Sequence, residues 1–241
     1  MSVEATPAPA RSGLAVLWDV IVAPSDAFAA LRVRQTWVWA FIAICVLGFV
    51  GAWLQLPAGE HVARAIVTQN PTHDPKIASL TPAQREQIIG FSTMTTRIAP
   101  FLYPIGAIVA ILYGALICLI ANAAGKGDAT FGRLFAFVAN IALIRLGIGA
   151  CIVGILAALR SPASFGTTRD LLLVLPSLGW LAAGNPKLAA FLYTFNPFQI
   201  WTFVLVAIGL PIVARIGRPP AFIAAAVLVL TETAFNVASA K

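Results

Sequence analysis

Residues 140–155 read NIALIRLGIGACIVGI, apolar and glycine-spaced except for Asn140 at the start and one guanidinium at Arg145. No acidic residue in the stretch neutralises that charge. Extended to Leu134–Leu159, the segment is long enough as a helix to cross a bilayer, whose ~30 Å hydrocarbon core takes about 20 residues. An ionisable group inside such a segment faces a bundle interior or a water-filled cavity. The stretch therefore points to a membrane-embedded helix bundle.

The rest of the chain agrees. Of 241 residues, 60% are hydrophobic and only 10% charged, and the mean hydropathy is +0.90. A soluble domain carries roughly 25% charged residues, so this composition excludes one. Four further segments have spanning character: Val38–Leu56, Pro100–Ala121, Phe195–Ala214 and Pro220–Ala238. The expected fold is all-α, a polytopic bundle of five transmembrane helices over 37–238 with amphipathic interfacial helices. A sixth candidate, DLLLVLPSLGWLAA (170–183), is short and carries Pro176 and Gly179. It reads as a segment lying at the interface or dipping into it.

Residues 1–36 are expected to form a cytosolic N-terminal region. Leu14, Leu17, Trp18 and Ile21 recur at helical spacing and form one apolar stripe, read as an anchor on the inner membrane surface. Packing against the bundle's own loops is the alternative. Trp37 and Trp39 mark the head-group level. The opening MSVEATPAPARSG leads into no signal-peptide core, so the first span is expected to serve as an uncleaved anchor.

The net charge of +7 comes from scattered Lys and Arg, which suits anionic lipid and not nucleic acid. With the N-terminus inside, seven cations (Arg11, Arg32, Arg34, Lys126, Arg133, Arg215, Arg218) lie inside. Eight (Arg64, Lys76, Arg85, Arg97, Arg160, Arg169, Lys187, Lys241) lie outside. The short links AGKGDATFGR and RIGRPP place cations tight against span ends, where they weigh most. A cytosolic N-terminus and an external C-terminus are expected.

Residues 57–99 form the longest polar segment, read as an outer loop. Within it TPAQ (81–84) is a helix start, with Thr81 and Gln84 as a capping pair and Pro82 in the first turn. Asn185-Pro186 and Asn196-Pro197 repeat the start signal as lead-ins to the fourth span.

Signals for chemistry are blank. His61 and His73 flank no metal-ligand spacing, and Cys45, Cys118 and Cys151 fall in three different spans with no paired motif. No catalytic residue, metal site or cofactor motif is legible. What recurs is small residues every four positions: Gly106, Ala110, Gly114 and Cys118 in the second span, Ala150, Gly154 and Ala158 in the third. Such ridges let helix backbones approach closely. They are expected to join these two spans, with a homo-oligomer along the same ridge as the alternative.

Several stretches resemble the Ypt/Rab-interacting-protein (YIP) family in its bacterial branch. VAPSDAFAALR precedes the first span as a Pro-x-x-Phe-x-x-Leu-like element does there. GKGDATFGRLFAFVA matches a Gly-rich turn before a Phe-bearing helix start. FNPFQIWTFVLVAIGLPIVARIGRPPAF is similar to the family's Phe-x-x-Trp stretch and the basic turn before its last span. The resemblance implies five spans and a cytosolic N-terminus. Eukaryotic members bind Rab-type GTPases, but their Asp-Leu-Tyr-Gly-Pro element is absent here. The Ala-rich composition fits a multi-pass protein of a bacterial inner membrane.

Two function classes remain: a non-enzymatic membrane adaptor or scaffold binding membrane proteins or lipid, and a transporter or channel component. The second would use Arg145 and Glu232 to line a substrate path. Counted from the inner face, Arg145 lies eleven residues past Leu134 and Glu232 twelve past Pro220, so both sit about 16–18 Å deep. Opposite charges at matched depth offset each other's desolvation, and an ion pair docking the last span onto the third is expected.

Overall fold

Prolines and side-chain caps set the helix boundaries. The computed structural model describes residues 12–68, 79–182 and 184–239. Ser12 accepts the Ala15 N–H to open α1 (Gly13–Val22), and Pro24 opens α2 (Pro24–Val33). α3 (Val38–Leu54) is interrupted just before Pro57, which has no N–H to continue the ladder. The Gln55 side chain turns back to donate to the Gly51 carbonyl at 3.2 Å, and α4 (Leu56–Thr68) follows with a bend of 49°.

α5 (Pro82–Ala124) starts at the TPAQ capping box. The Gln84 side chain accepts the Thr81 N–H at 2.8 Å, and the Thr81 hydroxyl accepts the Gln84 N–H at 3.3 Å. The helix then runs for 43 residues. At 1.5 Å per residue that is about 64 Å, twice a bilayer core. Pro100 and Pro104 each remove one N–H without stopping it, so the lead-in and the second span are one rod. Much of residues 57–99 is therefore helix and not loop. α4 packs along the first half of α5, where Arg97 pairs with Glu60 at 2.6 Å and Gly59 admits Thr96.

α6 (Phe131–Ala158) is capped by the Thr130 hydroxyl and widens to a π-helix over Leu143–Gly149. Residues 168–182 hold only a five-residue helix, α7 (Thr168–Leu172), and a 3₁₀ turn, Leu178–Ala182. Neither can cross a membrane. Asn185 and Asn196 accept the Leu188 and Gln199 N–H groups at 3.1 and 3.0 Å to open α8 (Pro186–Tyr193) and α9 (Pro197–Ala214). α10 (Arg218–Ser239) closes the described chain. α5, α6, α9 and α10 are each long and apolar enough to cross, and the bent pair α3–α4 is a fifth where its two helices count as one broken span. Ile42, Val46, Phe101, Ile105, Val109 and Ile120 all face outward. An apolar surface this extensive is a liability in water and a lipid-facing wall in a bilayer.

One end of the bundle gathers the short links. Asp128 reaches Arg133 at 3.3 Å and Arg215 at 3.2 Å, joining the α5–α6 and α9–α10 turns. Asn122 clamps both polar groups of the Ala129 backbone at 3.2 Å. The α2–α3 link lies at this end too, where the Asn140 amide donates to the Thr36 carbonyl at 2.7 Å. α2 buries Ala27, Phe28 and Leu31; the Phe28 ring meets Phe137 at 5.1 Å, edge-on, above Gly209. α1 buries Val16 and Val20, which turns Leu14, Trp18 and Ile21 outward and leaves Leu17 half-buried.

The small-residue ridges pair differently from the expectation. Gly114 does meet α6, at Val138, and Cys118 is buried. Ala150 and Gly154, however, turn to α3: a Cβ on Gly154 would collide with the Gly51 backbone, and one on Gly51 with the Ala150 carbonyl. Gly106 has nothing within 4 Å of an added Cβ, Ala110 is half-buried, and Ala158 is exposed. Gly51 of the first span is thus the partner of the third span's ridge, while Gly48 beside it admits the Tyr103 ring of α5. The two glycines sit three apart, which does not repeat the four-residue period that marked the other ridges.

Candidate functional site

The deepest polar groups meet in one place. Arg145 lies fourteen residues past the start of α6 and Glu232 fourteen past the start of α10, which at 1.5 Å per residue puts both about 21 Å along their helices. Arg145 Nη1 donates to Glu232 Oε1 at 2.5 Å. Asn140, the nearer polar neighbour on its own helix, is engaged instead with Thr36 and Ala136. Arg145 therefore reaches across to α10 and does not turn back along α6.

Backbone irregularity shapes this centre. Within the π-helix the Ala150 N–H bonds to the Arg145 and Gly147 carbonyls, skipping that of Leu146. A freed carbonyl in hydrocarbon needs a donor, and the Tyr103 hydroxyl of α5 supplies it at 2.5 Å. The same ring fills the notch over Gly48, where any Cβ would overlap it. π segments of this kind often mark functional positions.

Glu232 has working neighbours on both sides. Successive helical residues point about 100° apart, so Thr231, Glu232 and Thr233 address three different elements. Tyr113 of α5 donates to Thr231 Oγ1 at 2.9 Å, Arg145 of α6 reaches Glu232, and Thr194, just past α8, shares a 2.7 Å bond with buried Thr233. Sequence reasoning found Glu232 and missed the two threonines. The available signal was a polar triplet, Thr-Glu-Thr, inside an apolar helix. Nearby, burial first and then the Glu232 carboxylate push the Tyr193 phenol of α8 above its ordinary value.

A cavity of about 350 Å³ opens beside the pair, between α5, α6, α9 and α10. Arg145, Glu232, Gln199 and Thr202 form its polar side; Phe203 and Leu228 stand among its apolar walls. Arg145 and Glu232 keep 34% and 30% of their side chains accessible, facing this space. Elsewhere, no group of three or more metal-ligating side chains occurs among the described residues, and His73 lies outside them. Cys45, Cys118 and Cys151 are free thiols.

An all-helical bundle with several apolar spans, and charges shared between its helices, defines a polytopic integral membrane protein. Residues 18–239 match the Yip1 domain, and the chain belongs to that family, as the stretches from Val22 onward suggested. It is 29% identical over 216 residues to membrane protein YknW of Bacillus subtilis (strain 168), a match covering 88% of this chain and 84% of the relative. No solved structure matches.

Proposed function

We propose that this protein is a non-enzymatic adaptor or scaffold of a bacterial inner membrane, binding other membrane proteins or lipid through its helices. The reading rests on the closure of Arg145 and Glu232 upon each other. Deep charges that neutralise one another hold helices together and present no net charge to a passing ion. The outward stripe of Leu14, Trp18 and Ile21 supports a lipid-surface anchor, and the open flank at Gly106 suits a membrane-protein partner or a second copy. The shared end of the N-terminal helices and the two basic links supports a cytosolic N-terminus with α10 ending outside.

The alternative is a transporter or channel component, and the cavity at the pair favours it. Purification in mild detergent after crosslinking separates the two. A stoichiometric protein partner is the adaptor's result; no partner, with solute flux in proteoliposomes, is the transporter's.

A further inference from the structure

We propose that the cavity between α5, α6, α9 and α10 binds the head group of a zwitterionic, amine-bearing phospholipid. Three observations converge on it. Gln199 is 5% exposed, and its Oε1 has no hydrogen-bond partner. Thr202 Oγ1, on the next turn of α9, also lacks one. An unsatisfied buried acceptor is destabilising, and here both belong to residues that line a space with room for a ligand. The ion pair meanwhile stays about one-third accessible to that space, although hydrocarbon against a charge is strongly unfavourable.

Charge and shape select the occupant. The site holds one cation and one anion, so a purely anionic head would press on Glu232 and a purely cationic one on Arg145. A zwitterion matches both. Its phosphate takes guanidinium donors beyond the Nη1 contact to Glu232, since arginine carries five. Its ammonium donates to Glu232 and, with the Gln199 amide turned so that its unpartnered oxygen faces the space, to Gln199 Oε1. Water alone would satisfy the polar side but would wet Val206, Phe203 and Leu228, and apolar cavity walls stay dry. The Phe235 ring, 72% exposed, stands at the rim with Tyr113 and Thr231, where acyl chains can leave for the bilayer. Glu232 is seven residues from the end of α10, about 10 Å, within reach of a lipid drawn in from that leaflet.

This goes beyond the adaptor reading, because lipid preference is measured on the isolated protein and needs no partner. The full chain is delipidated in detergent and titrated with phosphatidylethanolamine, phosphatidylcholine and phosphatidylglycerol, following intrinsic fluorescence and the thermal midpoint. Phosphatidylcholine keeps the charges but has no N–H donor, and phosphatidylglycerol lacks the cation. Phosphatidylethanolamine is expected to bind about tenfold tighter than either, the value of one hydrogen bond to a charged group. Gln199→Leu is expected to remove the preference over phosphatidylcholine. If Gln199→Leu does not fold, Thr202→Val is expected to weaken phosphatidylethanolamine binding, and Leu228→Trp to block it by filling the cavity. Equal binding of all three lipids by the wild type overturns the proposal. So does a preference that survives both Gln199→Leu and Leu228→Trp.

Discussion

Gly51 of α3 and Gly154 of α6 meet backbone to backbone, with no room for a methyl group on Gly154. The contact continues through Ala150, whose carbonyl lies against Gly51. In a bilayer such approaches replace the missing hydrophobic drive between helices with dispersion and weak hydrogen bonds. Gly154→Leu is expected to destabilise the bundle by about 1–3 kcal/mol through overpacking, read as a lower thermal midpoint in detergent. Gly106→Leu, made where an added Cβ meets nothing, should leave the midpoint unchanged. Equal losses at both positions would mean that the two ridges are used alike.

The pair of Arg145 and Glu232 makes a cycle that tests itself. Removing one member strands the other charge, and breaking such a pair costs about 3 kcal/mol at the partly accessible end of the range. Arg145→Ala and Glu232→Ala should each lower folded yield, with the double mutant less impaired than the two losses added. Strict additivity would show that the two side chains do not interact.

The Tyr103 hydroxyl carries a separate load. It satisfies the Leu146 carbonyl that the π-helix releases. Tyr103→Phe keeps the ring over Gly48 and removes only that donor, an expected loss of about 1 kcal/mol. Amide exchange in Leu143–Gly149 should rise in the variant. Unchanged stability and exchange together would leave the π segment independent of α5.

Local signals were legible and choices of partner were not. Thr81, Asn185 and Asn196 announced helix starts because a cap acts within three residues of itself. Arg145 and Glu232 could be matched by counting, since helical rise converts sequence distance into depth. Gly154 was visible as a packing residue, but nothing in a one-dimensional period says which neighbour it meets. α4 was masked by its charges: Glu60, His61 and Arg64 made residues 57–68 look like loop. Yet Ala58, Val62 and Ala65 already spaced a buried stripe. Thr231 and Thr233 stayed hidden because threonine in an apolar helix can bond to its own backbone, as both also do here, to Val227 and Val229.

Sidedness can be read with two fusions. The α5–α6 and α9–α10 turns are joined through Asp128 and lie with the α2–α3 link at one end of the bundle. A reporter active only in the cytosol should therefore work when inserted near Gly127 and fail when fused at Lys241. Activity at both positions would require an even number of crossings between them, so that one of α6, α9 and α10 does not span.

The N-terminal helix offers the last test, because its two faces have separate tasks. Val16 and Val20 are buried against the bundle, while Trp18 is 65% exposed with Leu14 and Ile21 beside it. Trp18→Asp leaves the buried face intact, so any response belongs to whatever the outer face touches. If that is the lipid surface, the substitution removes an interfacial aromatic and sets a carboxylate against anionic head groups. A spin label or environment-sensitive probe at position 14 or 21 should then move toward water in vesicles, with the thermal midpoint in detergent unchanged. A probe that keeps its depth, with a lowered midpoint, would place the stripe against protein instead.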